Sequence, residues 1–305
     1  MDTILVTGAS GFLGKAVVKQ LLETKQYHVI AVISGRRAVK FPDEVQVEKC
    51  DLLNEIMRTE LVKRVRPNVL CHLAWGQEQP DYRSSADNLS WLEASSSLLR
   101  TFAACGGRRF IFAGSCTEYD DRSGKAEEAP QVQAMSLYGE CKRAFYHVMS
   151  NYCRIAELEY AEARLFTIYG GGDPHPFGAI PYVIRSFMEE RPVICKSPNN
   201  VRDYIYIEDA AKAVALLAGS DYCGAVNISS GRPLSMRTIF TLIAREMGCE
   251  QLLSFENEEI CSQVLVGDNR ILKEVVGLES FVSFEEGIRE TVLEYKKNEA
   301  EIFPT

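Results

Sequence analysis

The sequence predicts a doubly wound parallel α/β sheet carrying a smaller, interleaved C-terminal lobe. Short apolar runs alternate with segments of 10 to 20 residues whose apolar positions fall at helical spacing. The first run passes through a glycine-rich turn directly into a helix. The 305-residue chain, 46% apolar and 25% charged, is long enough to bury the core such a sheet needs.

Thr3 to Thr7 is the first strand, and Phe12-Leu13, Ala16-Val17-Val18 and Leu21-Leu22 mark the helix after the turn. His28 to Ile33 is a second buried strand, and Val45 to Lys49 a third that ends at Cys50-Asp51-Leu52. A helix from about Glu55 to Arg64 precedes the fourth strand, Val69 to Leu73. The long helix Asp87 to Cys105 leads to the fifth, Arg109 to Ala113. Asp120 to Met135, acidic and interrupted by Pro130, reads as a loop near the mouth of a site. Residues 138–157 read as a helix and Glu162 to Thr167 as the sixth strand.

Gly170-Gly-Gly-Asp-Pro-His-Pro-Phe-Gly178 then breaks the pattern. Beyond it come a helix near 180–190, a strand at Val193-Ile194, a polar tract, and a strand over Tyr204 to Ile207. A helix from about Glu208 to Ala218, a strand over Ala225 to Ile228 and a helix capped by Ser235 and running to Met247 follow. The capping box Ser283-Phe-Glu-Glu286 opens a last helix to Tyr295. The domain reading is a first unit of residues 1–167, to which segments from about 197–228 return, and a lobe made mainly of about 168–196 and 229–305.

A formal charge of -8 and a pI near 5.3 argue against a nucleic-acid partner, while helix N-termini and a few arginines can still hold a phosphorylated small molecule. Met1-Asp2-Thr3 leads straight into a strand, so no secretion signal is expected. No stretch approaches the roughly 18 consecutive apolar residues of a membrane span. The 10 cysteines form no CxxC pair, and with 4 histidines there is no zinc pattern. Reduced thiols, no metal and a cytoplasmic location are the expectation.

Gly8, Gly11 and Gly14 are spaced GxxGxxG directly after the first strand. Without side chains there, a backbone approaches a pyrophosphate closely, and the helix behind it offers free N–H groups and a positive dipole end. The turn predicts a dinucleotide, bound by Gly8, Ser10, Gly11, Phe12, Leu13 and Gly14. The second strand ends Val32-Ile-Ser34-Gly-Arg36-Arg37, with two guanidinium groups where an NAD site commonly has a carboxylate. NADP(H) is therefore expected over NAD(H), held by Arg36 and Arg37. Asp51 can accept from the adenine amino group or cap the next helix.

Tyr138 and Lys142 lie at i and i+4, so a helix places them on one face, where an ammonium can stabilise a phenolate. Ser115, beyond the fifth strand, can hydrogen-bond a substrate oxygen. Together the three suit hydride transfer at a carbonyl carbon with proton transfer at its oxygen, so Ser115, Tyr138 and Lys142 are the candidate catalytic residues.

These stretches resemble an extended short-chain dehydrogenase/reductase of the nucleotide-sugar epimerase, dehydratase and reductase group. The likeness runs through Val6 to Gly14, Cys50-Asp51-Leu52, His72-Leu-Ala74, Phe112 to Tyr119, Tyr138 to Lys142, Arg164 to Gly170, Arg202 to Asp209 and Val226 to Gly231. It implies a Rossmann-like NAD(P)-binding domain, a nucleotide sugar clasped by the smaller lobe, and a homodimer pairing the helices at 88–105 and 138–157. It also implies that Leu52, Leu73, Ala74, Trp75 and Phe166 border the cofactor with Tyr138 and Lys142, and that Asn88 supports the site. Trp75, Ser115, Cys116, Thr117, Tyr138, Thr167 and Arg202 would meet the substrate, with Arg185 or Arg270 as a second cation. Val264-Leu-Val266 stands where many members carry an arginine for the diphosphate.

Sugar 4,6-dehydratases of the group carry an Asp-Glu pair where this chain has Cys116 and Thr117, so dehydration is not expected. The leading expectation is NADPH-dependent reduction of a nucleotide-linked 4-keto-6-deoxyhexose to a 6-deoxyhexose. The alternatives are a 4-epimerase retaining NAD and a dinucleotide-binding sensor or scaffold without activity.

Overall fold

A computed structural model describes residues 1–36, 39–77, 80–120, 124–128, 134–173, 175, 178–257, 259 and 263–302, without the side chains of 298–302. The first half comprises β1 (Asp2–Thr7), α1 (Phe12–Thr24), β2 (Tyr27–Ile33), β3 (Gln46–Lys49), α2 (Glu55–Val65), β4 (Val69–His72), α3 (Asp87–Ala104) and β5 (Arg109–Ser115). A 3-10 turn, Cys116–Glu118, and β6 (Gly124–Ala126) lead to α4 (Leu137–Ile155), β7 (Glu159–Leu165) and β8 (Thr167–Tyr169). Then follow α5 (Ala179–Met188), β9 (Val193–Cys195), β10 (Val201–Arg202), β11 (Tyr204–Tyr206), α6 (Ile207–Gly219) and β12 (Gly224–Ile228). The chain ends with β13 (Leu234–Ser235), α7 (Met236–Met247), β14 (Leu253–Phe255), β15 (Val264–Gly267), α8 (Arg270–Glu274) and α9 (Phe284–Ile302).

Seven strands form one parallel sheet in the order β12-β7-β5-β4-β1-β2-β3. The chain steps outward from β1 to β3 and then crosses back to β4. The direction of winding therefore reverses between β1 and β4, and such a sheet opens a ligand crevice at the carboxyl ends of its strands there. Alternation along β1 sends Ile4 and Val6 into a core with Val17, Leu21 and Val214 of α1 and α6. Leu5 points the other way, toward Leu61, Leu98 and Phe145 of α2, α3 and α4.

The predicted sixth strand is displaced. β7 begins at Glu159, where it pairs with Arg109, and ends at Leu165; β8 is a separate strand paired with β11. The chain changes sheets at Phe166, whose N–H donates to Ile228 O at 3.0 Å. This break presents Phe166 and Thr167 at the carboxyl edge of the large sheet.

The smaller lobe packs α5, α7 and α9 around Ile184, Phe187, Ile239, Ile243, Phe284 and Ile288. It is interleaved with the large unit in both directions. β6 joins β13, β10 and β15 in a four-stranded sheet, while β12 completes the large sheet beside β7. Among the described residues no helix is long and apolar enough to cross a membrane.

Candidate active site

The turn after β1 is built from close approaches. Gly8 has φ +70, and the Gly11 N–H donates to Gly8 O at 2.9 Å. A Cβ on Gly14 would sit 2.1 Å from Gly8 O, so the first turn of α1 can press against the loop only because that position is bare. Ser10, Gly11, Phe12 and Leu13 are half-buried around the N-terminus of α1, which carries no acidic residue in its first turn. Free N–H groups at a positive dipole end, with no carboxylate among them, fit a dinucleotide pyrophosphate.

Nearby groups hold the turn against β4. The Leu73 N–H donates to Thr7 O at 3.3 Å, and Ala74 packs against Gly8. Trp75 Nε1 donates to Asn88 Oδ1 at 2.8 Å, while Asn88 Nδ2 donates to Tyr82 O at 2.7 Å. Asn88 therefore fixes both the Trp75 ring and the loop that follows it. At the other end of the crevice Arg36 is exposed, Leu52 is buried, and the Asp51 carboxylate accepts the Leu53 N–H at 3.1 Å, capping its own turn. Arg37 lies outside the described residues.

Ser115 ends β5, and Tyr138 and Lys142 come from the first turns of α4, whose N-cap Ser136 accepts the Gly139 N–H at 3.1 Å. All three side chains are buried. The Thr117 hydroxyl and N–H donate to Ser115 Oγ at 2.9 and 3.2 Å. Lys142 Nζ donates to Ala113 O at 2.7 Å and lies 4.1 Å from the centre of the Trp75 ring. Gln77 Nε2 donates to Tyr138 Oη at 2.5 Å, and the Tyr138 ring meets Tyr82 edge-on at 5.2 Å.

Burial first, then neighbouring Tyr82, raises the Tyr138 phenol well above its ordinary value, against a lowering by the Ser115 hydroxyl. Lys142 is not among the leading influences on it. Burial brings the Lys142 ammonium itself down to about 7, opposed by Glu118 and Glu162. In the protein alone, burial is the leading influence on both groups. Glu118 is wholly buried, with Oε1 accepting the Ser115 N–H at 2.7 Å, so its carboxylate does not stand in for an acid or base facing substrate.

Cys116, Thr117, Phe166 and Thr167 line an open cleft with Arg83, Arg202, Asp203 and Leu265. Phe166, expected beside the cofactor, lies in this cleft with the substrate candidates. Asp203 accepts the N–H groups of Ser230 and Gly231 at 2.9 Å and anchors the strand that carries Arg202. Arg270 instead pairs with Asp268 at 2.8 Å, and Arg185 lies over the Tyr295 ring. The sequence reading missed Gln77, Tyr82 and Arg83. They follow Trp75 in an aperiodic loop, and the one signal was that a loop beyond a carboxyl strand end borders the crevice.

Residues 4–228 match the NAD dependent epimerase/dehydratase family. The chain is 25% identical over 276 residues to the uncharacterized UDP-glucose epimerase YtcB of Bacillus subtilis, covering 84% of this chain and 85% of that protein. The UDP-glucose 4-epimerase of Thermus thermophilus, in complex with NAD, shares the fold at TM-score 0.83 and 24% identity, over 96% of this chain and 99% of that one. The UDP-glucose 4-epimerase of Thermotoga maritima, with UDP-glucose, does so at 0.86 and 24%, over 97% and 99%.

These comparisons correct the preference for NADP(H). The Thermus protein, MoeE5 and Streptomyces venezuelae DesIV all hold NAD. The physical error was to read a missing acid as a phosphate site. Losing a carboxylate after β2 removes one ribose contact, whereas recognising a phosphate takes guanidinium groups held in a fixed fork. With the match covering β1 through β12, the chain belongs to the NAD dependent epimerase/dehydratase family, as an enzyme of the extended short-chain dehydrogenase/reductase type.

Proposed function

We propose that the protein is an NAD-dependent nucleotide-sugar 4-epimerase. What supports this reading is the match of residues 4–228 to the NAD dependent epimerase/dehydratase family, beside Ser115 at the end of β5 and Tyr138 and Lys142 on α4, where Lys142 Nζ lies 5.6 Å from the centre of the Tyr138 ring. The glycine turn after β1 would hold NAD, which would supply reversible hydride exchange at C4 of the sugar with no net redox change. Ser115 Oγ would hold O4, and Tyr138, ionised by the Lys142 ammonium and the positive charge that NAD brings, would take the O4 proton on oxidation and give it back on reduction. Arg83 and Arg202 would hold the diphosphate, with Thr117 and Thr167 toward the sugar. Trp75, fixed by Asn88, would wall the sugar against the Lys142 side.

Net reduction of a nucleotide-linked 4-keto-6-deoxyhexose by the same three residues is the second reading. The two are separated by releasing and quantifying the dinucleotide that survives purification, then offering UDP-, dTDP-, GDP- and CDP-linked hexoses and 4-keto-6-deoxyhexoses. Tightly held NAD and C4 epimers formed without net change in dinucleotide absorbance support the epimerase. Stoichiometric consumption of reduced dinucleotide on the keto sugars overturns it.

A further inference from the structure

Behind Ser115, on the α4 side of the large sheet, four ionisable side chains are enclosed together. Lys142, Glu118, Glu162 and Arg164 are each 2% exposed or less. Arg164 Nε lies 2.7 Å from Glu162 Oε2 and 3.3 Å from Glu118 Oε2. The Oε1 atoms of both glutamates lie against Gly114, within 2.8 Å of where a Cβ would stand. The neighbouring carbonyl, that of Ala113, accepts from Lys142 Nζ at 2.7 Å.

The charges of this cluster define its role. One guanidinium balances one carboxylate; among the described residues the other cation enclosed with the pair is Lys142, whose ammonium sits on the Ala113 carbonyl two residues before the Ser115 N–H that Glu118 accepts. A buried charge without a counter-charge gives up or takes up a proton rather than stay ionised. Either Lys142 keeps its proton while both glutamates are ionised, or the proton passes to the glutamate pair and Lys142 is neutral. Burial raises both glutamates, and each in turn pulls Lys142 back toward the charged form.

We propose that Glu118 and Glu162 are positioning residues that act through Lys142 and Ser115: the pair supplies the counter-charge that keeps Lys142 an ammonium, and Glu118 also pins the Ser115 backbone. This rests on the Ser115, Tyr138 and Lys142 chemistry proposed above. The titratable groups that bear on Lys142 are His72 of β4, Glu118 of the 3-10 turn, Glu162 of β7 and Tyr138 of its own helix. Arg164 is paired with both carboxylates; the Glu118 charge also raises the Tyr119 phenol, and that of Glu162 raises Tyr146 of α4.

The test compares Glu118→Gln and Glu162→Gln, each of which removes charge but keeps shape and an acceptor oxygen. Lys142 is titrated by NMR of ε-carbon-labelled lysine, its resonance assigned by loss in Lys142→Met. Both variants should move the Lys142 titration to lower pH by about one unit. The limb of the turnover–pH profile that tracks Lys142 should move with it. If one variant does not fold, the other still decides, because the counter-charge is common to the pair. A Lys142 titration unmoved in the folded variants overturns the proposal and leaves the glutamates a packing role. A titration that moves in a protein that turns over no nucleotide sugar upholds the cluster and sinks the epimerase reading instead.

Discussion

Burial keeps the Tyr138 phenol protonated in the protein alone, and removing the hydroxyl is the direct test of its role. Tyr138→Phe leaves the ring between Trp75 and Tyr82, so fold and NAD affinity should persist while turnover falls by roughly 10²- to 10⁴-fold. Single-turnover kinetics beside dinucleotide titration measures both, and unchanged turnover would refute its place in the chemistry. His72 makes a separate, titratable contribution. It is 1% exposed, with Nδ1 2.7 Å from Thr7 Oγ1 and Nε2 2.9 Å from Ser95 Oγ. Burial first, then Lys142 and Arg58, lowers its pKa from 6.5 to about 3. The unfolded chain therefore binds the proton that the folded chain refuses. The stability this neutral histidine contributes is complete above pH 6.5 and is lost as pH falls toward 3. Unfolding of His72→Asn should show a shallower loss over that window, by up to about 1.4 kcal/mol per pH unit. Parallel curves would remove His72 as the titrating group. The positions of Ser115 at a strand end and of Tyr138 and Lys142 on one helix were legible from apolar runs and spacing. Gln77, Tyr82 and Arg83 were not, because an aperiodic loop gives no face to count on.

At the level of elements, the site depends on how closely α4 lies on the 3-10 turn Cys116–Glu118. Gly139, between Tyr138 and Glu140, permits that contact; a Cβ there would stand 2.2 Å from Thr117 O. Gly139→Ala must push the helix from the turn and carry Tyr138 away from Ser115. Since displacements near 1 Å can cost about 100-fold in rate, turnover should drop on that scale while far-ultraviolet circular dichroism stays unchanged. A fully active Gly139→Ala would show that the site tolerates the shift. Most elements were visible in the sequence from their apolar periodicity, including the α7 cap, where Ser235 Oγ accepts the Thr238 N–H at 3.1 Å. β7 was misjudged at both ends. Glu159, Glu162 and Arg164 make it look polar, yet Glu162 and Arg164 are buried and paired with each other. Composition cannot distinguish a buried ion pair from two solvated charges, and that is why the cluster behind Ser115 was also hidden.

For the molecule as a whole, the sequence left one ambiguity, since the apolar residues of α3 and α4 could serve the sheet, a partner or both. Leu98, Leu99, Phe102, Phe145 and Met149 cover the sheet and are buried. Leu89, Val148 and Ile155 are left 56%, 52% and 82% exposed on the same two helices. We propose that a second copy covers them, pairing α3 and α4 with their equivalents about a two-fold axis, where each subunit presents the same patch. Sedimentation equilibrium should then give a dimer, and Val148→Glu should shift it toward monomer without lowering the helix content. The substitution enters a symmetric interface twice, so two unpaired carboxylates would be buried together, a cost of several kcal/mol that a modest apolar patch cannot offset. Because α4 also carries Tyr138 and Lys142, loss of the partner should loosen the N-terminal half of that helix and lower turnover. A wild-type chain that sediments as a monomer at every concentration would rule the pairing out. The exposed residues would then be scattered apolar surface of an ordinary kind.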